Sequence, residues 1–335
     1  MAEHTKAPGK SFRKGISLIE IVEMFPDDET AERWFEEQRW GKAGEPHCCP
    51  LCGSKDRLNA TKSGKPLPYW CGSCRRHFSV RSGTVMHRSK IPLRKWAIAI
   101  YLWATSLKGV SSMKLHRDLD ITQKSAYFLA QRLREAWSDM GGDMAGPVEV
   151  DETFVGGKAK NMHAVDRERR ITGRGGIDKT AVAGAKDRAT GNVSARVISG
   201  TDKATLHSFV ASAAAQGATV YTDDHKGYLG IPHPHETVRH SVSEYVSGMA
   251  HTNGIESFWA LLKRGYHGTF HHISPKHLQR YVAEFATRHN LRPEDTATMM
   301  SETVARMNGK RLTYAALTAN ALPGTVAEPD YGEPW

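Results

Sequence analysis

The chain has 335 residues and a formal net charge of +10, long enough for more than one buried core. A basic excess of this size speaks of partners rather than fold, and it favours a polyanion. No run approaches the roughly 18 apolar residues of a membrane helix, and the opening MAEHTKAPGKSF has no apolar signal segment, so no membrane partner and a cytoplasmic location are expected.

Residues 17–40 predict two short helices. SLIEIVEM carries apolar residues at helical spacing, Pro26 interrupts, and Asp27, Asp28 and Glu29 suit the start of the second helix. The predicted organisation is a helical segment over 1–45, a metal module over 46–90, a helical region over 91–140, an α/β domain over 147–290, and a C-terminal helix and tail over 291–335.

All five cysteines lie between Cys48 and Cys74. Cys49 and Cys52 form one CxxC pair, with Cys48 as a less usually spaced alternative to Cys49, and Cys71 and Cys74 form another eighteen residues later. Doubled pairs at this spacing are the signature of one tetrahedral, structural Zn²⁺ in a zinc ribbon. A disulfide framework is disfavoured by the odd count. Arg75, Arg76, Arg81, Arg88 and Lys90 follow the second pair. A rigid basic module suits phosphate contacts.

Residues 93–138 predict helix. In LRKWAIAIYLWATSL, Trp96, Ile100, Trp103 and Leu107 recur every three or four residues. Further on, a helix, a tight turn near 120–122 and a second helix capped by Thr122 outline a helix-turn-helix. Lys124, Arg132 and Arg134 are its candidate DNA contacts.

After a linker at 141–147 the pattern turns to strands. PVEVDETFVGG is one strand, and KTAVAGAKD and NVSARVISG form a hairpin around 189–192. A helix, ATLHSFVASAAAQ, precedes the strand GATVYTDD, and TVRHSVSEYV is a further short strand or loop. Helices at 251–264 and 274–289 follow. This order implies a mixed sheet flanked by helices. The tail from about Leu322 has a composition that favours disorder.

Asp151 and Asp223 each lie in or just after a β-type run, and Glu256 lies early in a helix. Carboxylates on separate elements can converge on a pair of divalent ions, and their hard oxygens suit Mg²⁺ or Mn²⁺. Alternation puts Glu152 on the other strand face from Asp151. Asp224 begins the following loop and ranks second to Asp223. Lys263, seven residues after Glu256, shares its helix face and could hold a phosphate; Arg264 adjoins it. Asn253, three residues before Glu256, also lies near that face and could orient DNA. The segment 156–176 is rich in glycine and base. Lys158, Lys160, Arg169, Arg170 and Arg174 within it are expected to form a loop that orders on DNA.

CPLCG…CGSCRRHFSVRSGT, SKIPLRKWAIAIYLW, VEVDETFVGGK, VYTDDHKGY and HTNGIESFWALLKRG, in this order, resemble the ISXO2-like (IS1595) transposases over about residues 20–290. The resemblance implies a zinc ribbon, a helix-turn-helix and an RNase H-like domain of α/β class. It implies Asp151, Asp223 and Glu256 as a DDE triad on two Mg²⁺ or Mn²⁺ ions, with Lys263 as the accompanying base. It also implies DNA as partner, both transposon ends and target, and a homodimer or larger assembly that holds two ends. Another RNase H-like nuclease, or a non-catalytic zinc-ribbon regulator, is the alternative.

Overall fold

The computed structural model describes residues 15–62, 67–138, 141–157, 163–165, 179–238 and 252–319. The chain divides into two compact units. The first takes residues up to 137 together with 292–319, and the second takes 138–291. The ribbon and the helices around it therefore share one unit.

Helix α1 (Leu18–Met24) begins at a capping box in which Ser17 Oγ accepts from Glu20 N and Glu20 Oε2 accepts from Ser17 N. Helix α2 (Asp28–Trp40) is capped by Asp27 and ends at Gly41, whose φ of 82° is left-handed. Strands β1 (Leu58–Ala60), β2 (Tyr69–Cys71) and β3 (Arg76–Phe78) make a small antiparallel sheet. Its core joins α2 through the buried Glu36, which accepts a hydrogen bond from Tyr69 Oη at 2.7 Å.

Helix α3 (Leu93–Thr105) buries Trp96, Ile100 and Trp103, as its periodicity requires. Leu107 departs from expectation: the helix stops at Thr105, and Leu107 lies beyond it, exposed. Helices α4 (Ser112–Leu119) and α5 (Gln123–Ala136) are joined by a turn in which Asp120 takes a left-handed conformation and Thr122 caps α5 by accepting from Ser125 N.

The second unit is built on strands β4 (Val148–Val155), β5 (Thr180–Asp187) and β6 (Val193–Val197), helix α6 (Lys203–Ala213), strands β7 (Val220–Asp223) and β8 (His235–Val238), and helices α7 (Asn253–Gly265) and α8 (Pro275–Asn290). The sheet order is β6-β5-β4-β7-β8. β5 runs antiparallel to both neighbours, while β4, β7 and β8 are mutually parallel. Alternation along β4 splits the core in two. Val148 and Val150 pack with Leu206, Phe209 and Val210 of α6. Val155 packs on the opposite face with Phe258 and Leu262 of α7 and with α8.

Helices α9 (Thr296–Met307) and α10 (Tyr314–Thr318) return to the first unit. Thr303 Oγ1 accepts from Trp137 Nε1 at 3.2 Å, and Lys310 Nζ donates to the carbonyl of Ala136 at 2.7 Å. Residues 292–319 thus belong to the first unit. No helix among the described residues is long and apolar enough to cross a membrane.

Candidate active site and metal centres

The four cysteines of the two CxxC pairs come together. Their sulfurs all lie within 4.8 Å of one another, with Cys49–Cys74 and Cys52–Cys71 each at 3.8 Å. Four thiolates about 2.3 Å from one tetrahedral Zn²⁺ stand roughly 3.8 Å apart, so the donor set fits that ion. Burial pushes the Cys49 thiol up to about 12. The backbone amide of Cys74 leads in drawing Cys71 down to about 7. Cys48 is outside this cluster.

In the second unit, the sheet face under α7 gathers the acids. Asp151 is in mid-β4, and its Oδ2 accepts from Trp259 Nε1 at 2.9 Å. Its cross-strand partner is Gly184. A Cβ on Gly184 would stand 2.6 Å from the Trp259 ring, so the missing side chain is what admits the indole. Asp223 closes β7, the parallel neighbour of β4, and its Oδ1 accepts from His225 N at 3.1 Å. Asp224 lies past the strand, exposed. Burial, then the charges of Glu152 and Asp223, raise Asp151 to about 7. Glu152 points to the other face, as alternation predicts, and accepts from the buried Tyr228 Oη at 2.6 Å. Burial raises it too, against that hydrogen bond.

Glu256 sits in the first turn of α7, exposed, with Oε1 accepting from Thr252 Oγ1 at 3.1 Å. Trp259, three residues on, carries the direct link from this helix to Asp151. The three acids thus occupy two adjacent parallel strands and the helix packed over them. Their oxygens do not converge as closely as the sulfurs do: among the described residues, only the cysteines put three or more potential ligand atoms within 4.8 Å. Each acid accepts a hydrogen bond, Asp151 from Trp259, Asp223 from His225 N and Glu256 from Thr252. In kind, these hard oxygen donors fit Mg²⁺ or Mn²⁺.

Asn253, Lys263 and Arg264 are exposed on α7. Lys263 borders a cavity of about 240 Å³ with Phe154, Val155, Lys179, Tyr266 and His267. On the ribbon, Arg75 and Arg76 are exposed. Arg81 instead turns inward and donates to the carbonyls of Ser89 and Ile91 at 3.0 and 2.7 Å. Lys124 is exposed at the start of α5. Arg132 and Arg134, expected as DNA contacts, are buried. Arg132 stacks on Phe128 at 4.2 Å and Arg134 on Trp103 at 5.0 Å. Their long stems are used for packing, which removes them from the presented surface. Lys158, Lys160, Arg169, Arg170 and Arg174 lie outside the described residues.

Sequence reasoning missed Glu149, Gly184, Arg188 and Trp259. Two of these carried a signal: Glu149 is two residues before Asp151 on the same strand face, and Trp259 is three after Glu256 on one helix face.

Two comparisons with known proteins bear on this arrangement. Residues 143–290 match the ISXO2-like transposase domain. The chain is also 27% identical over 277 residues to a protein in the transposable element ISH50 of Halobacterium salinarum, an alignment spanning 80% of this chain and 92% of that protein.

Proposed function

From the match of residues 143–290 to the ISXO2-like transposase domain, we propose that this chain is a DNA transposase that cleaves and joins strands at Asp151, Asp223 and Glu256. The observation that carries the reading is the placement of these acids. Two lie on adjacent parallel strands, and the third is on the helix tied to the first by the Trp259–Asp151 hydrogen bond. The mixed sheet, with only β5 reversed against its neighbours, supports an RNase H-like domain.

Two bound Mg²⁺ or Mn²⁺ ions would activate the attacking water or 3′-hydroxyl and stabilise the leaving oxygen. Asp151 and Asp223 on the sheet and Glu256 on α7 would be the residues that hold them. The site around Asp151 favours cations, because a divalent charge would offset the burial and the neighbouring Glu152 and Asp223 charges that raise its carboxyl. Lys263 and Arg264 in the last turn of α7, and Asn253 at its first position, bind the strand backbone next to the cut. The four cysteines hold one structural Zn²⁺, since a closed thiolate set leaves no position for water. Arg75 and Arg76 on the ribbon, Lys124 on α5, and the basic 158–174 segment bind DNA flanking the cut. The α4–α5 pair acts as a helix-turn-helix that selects the terminal inverted repeats. A homodimer or larger assembly holds two ends.

The test is joining of a pre-cut, labelled transposon end to plasmid DNA in Mn²⁺. Strand transfer that depends on the element's own end sequence supports the reading. Sequence-specific binding of the ends without any joining, by a protein that holds Mn²⁺, would instead identify a DNA-binding regulator.

A further inference from the structure

Helix α7 starts without help from its own cap: Thr252 offers no side-chain capping hydrogen bond. The capping carboxylate comes instead from the middle of the sheet. Glu149 of β4 is buried, and its Oε2 accepts from Ile255 N at 2.9 Å. An acidic group at a helix N-terminus satisfies an orphan amide and the helix dipole together. Its other oxygen, Oε1, accepts from Arg188 Nε at 2.9 Å. Lys186 Nζ reaches the Gly254 carbonyl at 3.4 Å. A Cβ on Gly254 would stand 2.6 Å from Glu149 Oε2 and 2.9 Å from Lys186 Nζ, so a side chain there would displace the ends of both.

Each acid of the proposed active site connects to this carboxylate through a short chain of bonds or contacts. Asp151 is two residues along the same strand face. Glu256 follows Ile255 directly on α7. Asp223 is two residues beyond Tyr221, whose ring carries the Arg188 guanidinium at 4.0 Å. We infer that Glu149 is a positioning residue. Through Ile255, Arg188 and Tyr221 it sets where Glu256 and Asp223 stand relative to Asp151, and so sets the affinity of the site for divalent metal. The inference rests on the proposed active site.

The experiment uses the full chain and Mn²⁺ itself. Glu149→Gln keeps the shape but turns an amide group toward one of the two donors. Gly254→Ala removes no polar group and favours helix, yet pushes on the same oxygen. Hydrogen exchange of peptides covering 253–259, recorded in EDTA, reads the anchor without metal. Mn²⁺ titration by water-proton relaxation, with Asp151→Asn as the control for the site, reads the ligand geometry. Both variants are expected to exchange faster at the start of α7, and to bind Mn²⁺ about tenfold more weakly, in the range that supporting ligand contacts usually contribute. Unchanged exchange would overturn the anchor. Faster exchange with wild-type Mn²⁺ affinity would make Glu149 a fold-stabilising residue only and overturn the positioning role. Mn²⁺ affinity that Asp151→Asn leaves intact would remove the active-site reading, and the inference with it, whatever the exchange shows.

Discussion

Asp151→Asn separates the electrostatics of the site from its chemistry. In the folded protein this carboxyl is raised from 3.8 to about 7, first by burial and then by Glu152 and Asp223. A raised acid favours folding while protonated. Its contribution is present below the ordinary carboxylate value and is lost as pH rises toward 7. With the unfolded carboxyl at its ordinary value, linkage gives a loss of about 2.5 kcal/mol of stability between pH 5 and pH 8. Asparagine has no charge to bury, and its amide oxygen can still accept from Trp259. Urea unfolding of wild type and Asp151→Asn, both in EDTA, should therefore show the variant gaining on the wild type by about that amount from pH 5 to pH 8. Parallel pH profiles would refute the claim that Asp151 is a crowded acid in need of a cation. The same logic makes Mn²⁺ binding release a proton below pH 7 and weaken as pH falls.

Three further outcomes follow from particular contacts. Gly184→Ala forces a methyl into the Trp259 ring, 2.6 Å away; it should cost about 1–3 kcal/mol in urea unfolding, as overpacking of a filled core does. Cys71→Ser should release the zinc, measured by atomic absorption, and lower the thermal transition, whereas Cys48→Ser, outside the cluster, should keep one zinc per chain. Lys263→Ala should weaken DNA binding similarly across sequences and reduce the salt slope of the affinity by about one, read by fluorescence anisotropy over a salt series.

Much of this was legible because its determinants are local. Strands 148–155 and 220–223 declare themselves by β-type residues between turn signals. The Ser17, Asp27 and Thr122 caps sit where short polar side chains meet helical periodicity. The cysteine pairs carry their ligand geometry in their spacing. What could not be read was long-range. Periodicity marks an apolar face but not where a helix stops, so it puts Leu107 on a stripe that ends with the helix at Thr105. A charge in a basic helix reads as exposed until its packing partner is known, and Arg134 meets Trp103 from a distant helix. Glu149 reads as an ordinary strand carboxylate until α7, a hundred residues on, brings Ile255 N to it at 2.9 Å. The return of 296–307 to the first unit is likewise a matter of tertiary contact, carried by Trp137 and Thr303.

The proposed function requires Asp151 on β4, Asp223 on β7 and Glu256 on α7 for DNA cleavage. Its most direct test is end cleavage of labelled DNA carrying the element's terminal repeats in Mg²⁺ or Mn²⁺, comparing wild type with Asp151→Asn, Asp223→Asn and Glu256→Gln. Metal-dependent cleavage that exposes a 3′-hydroxyl is expected from the wild type and is lost in all three variants while DNA binding persists. Wild-type cleavage by any one of them would contradict the assignment of that residue, and cleavage by all three would place the chemistry elsewhere in the chain.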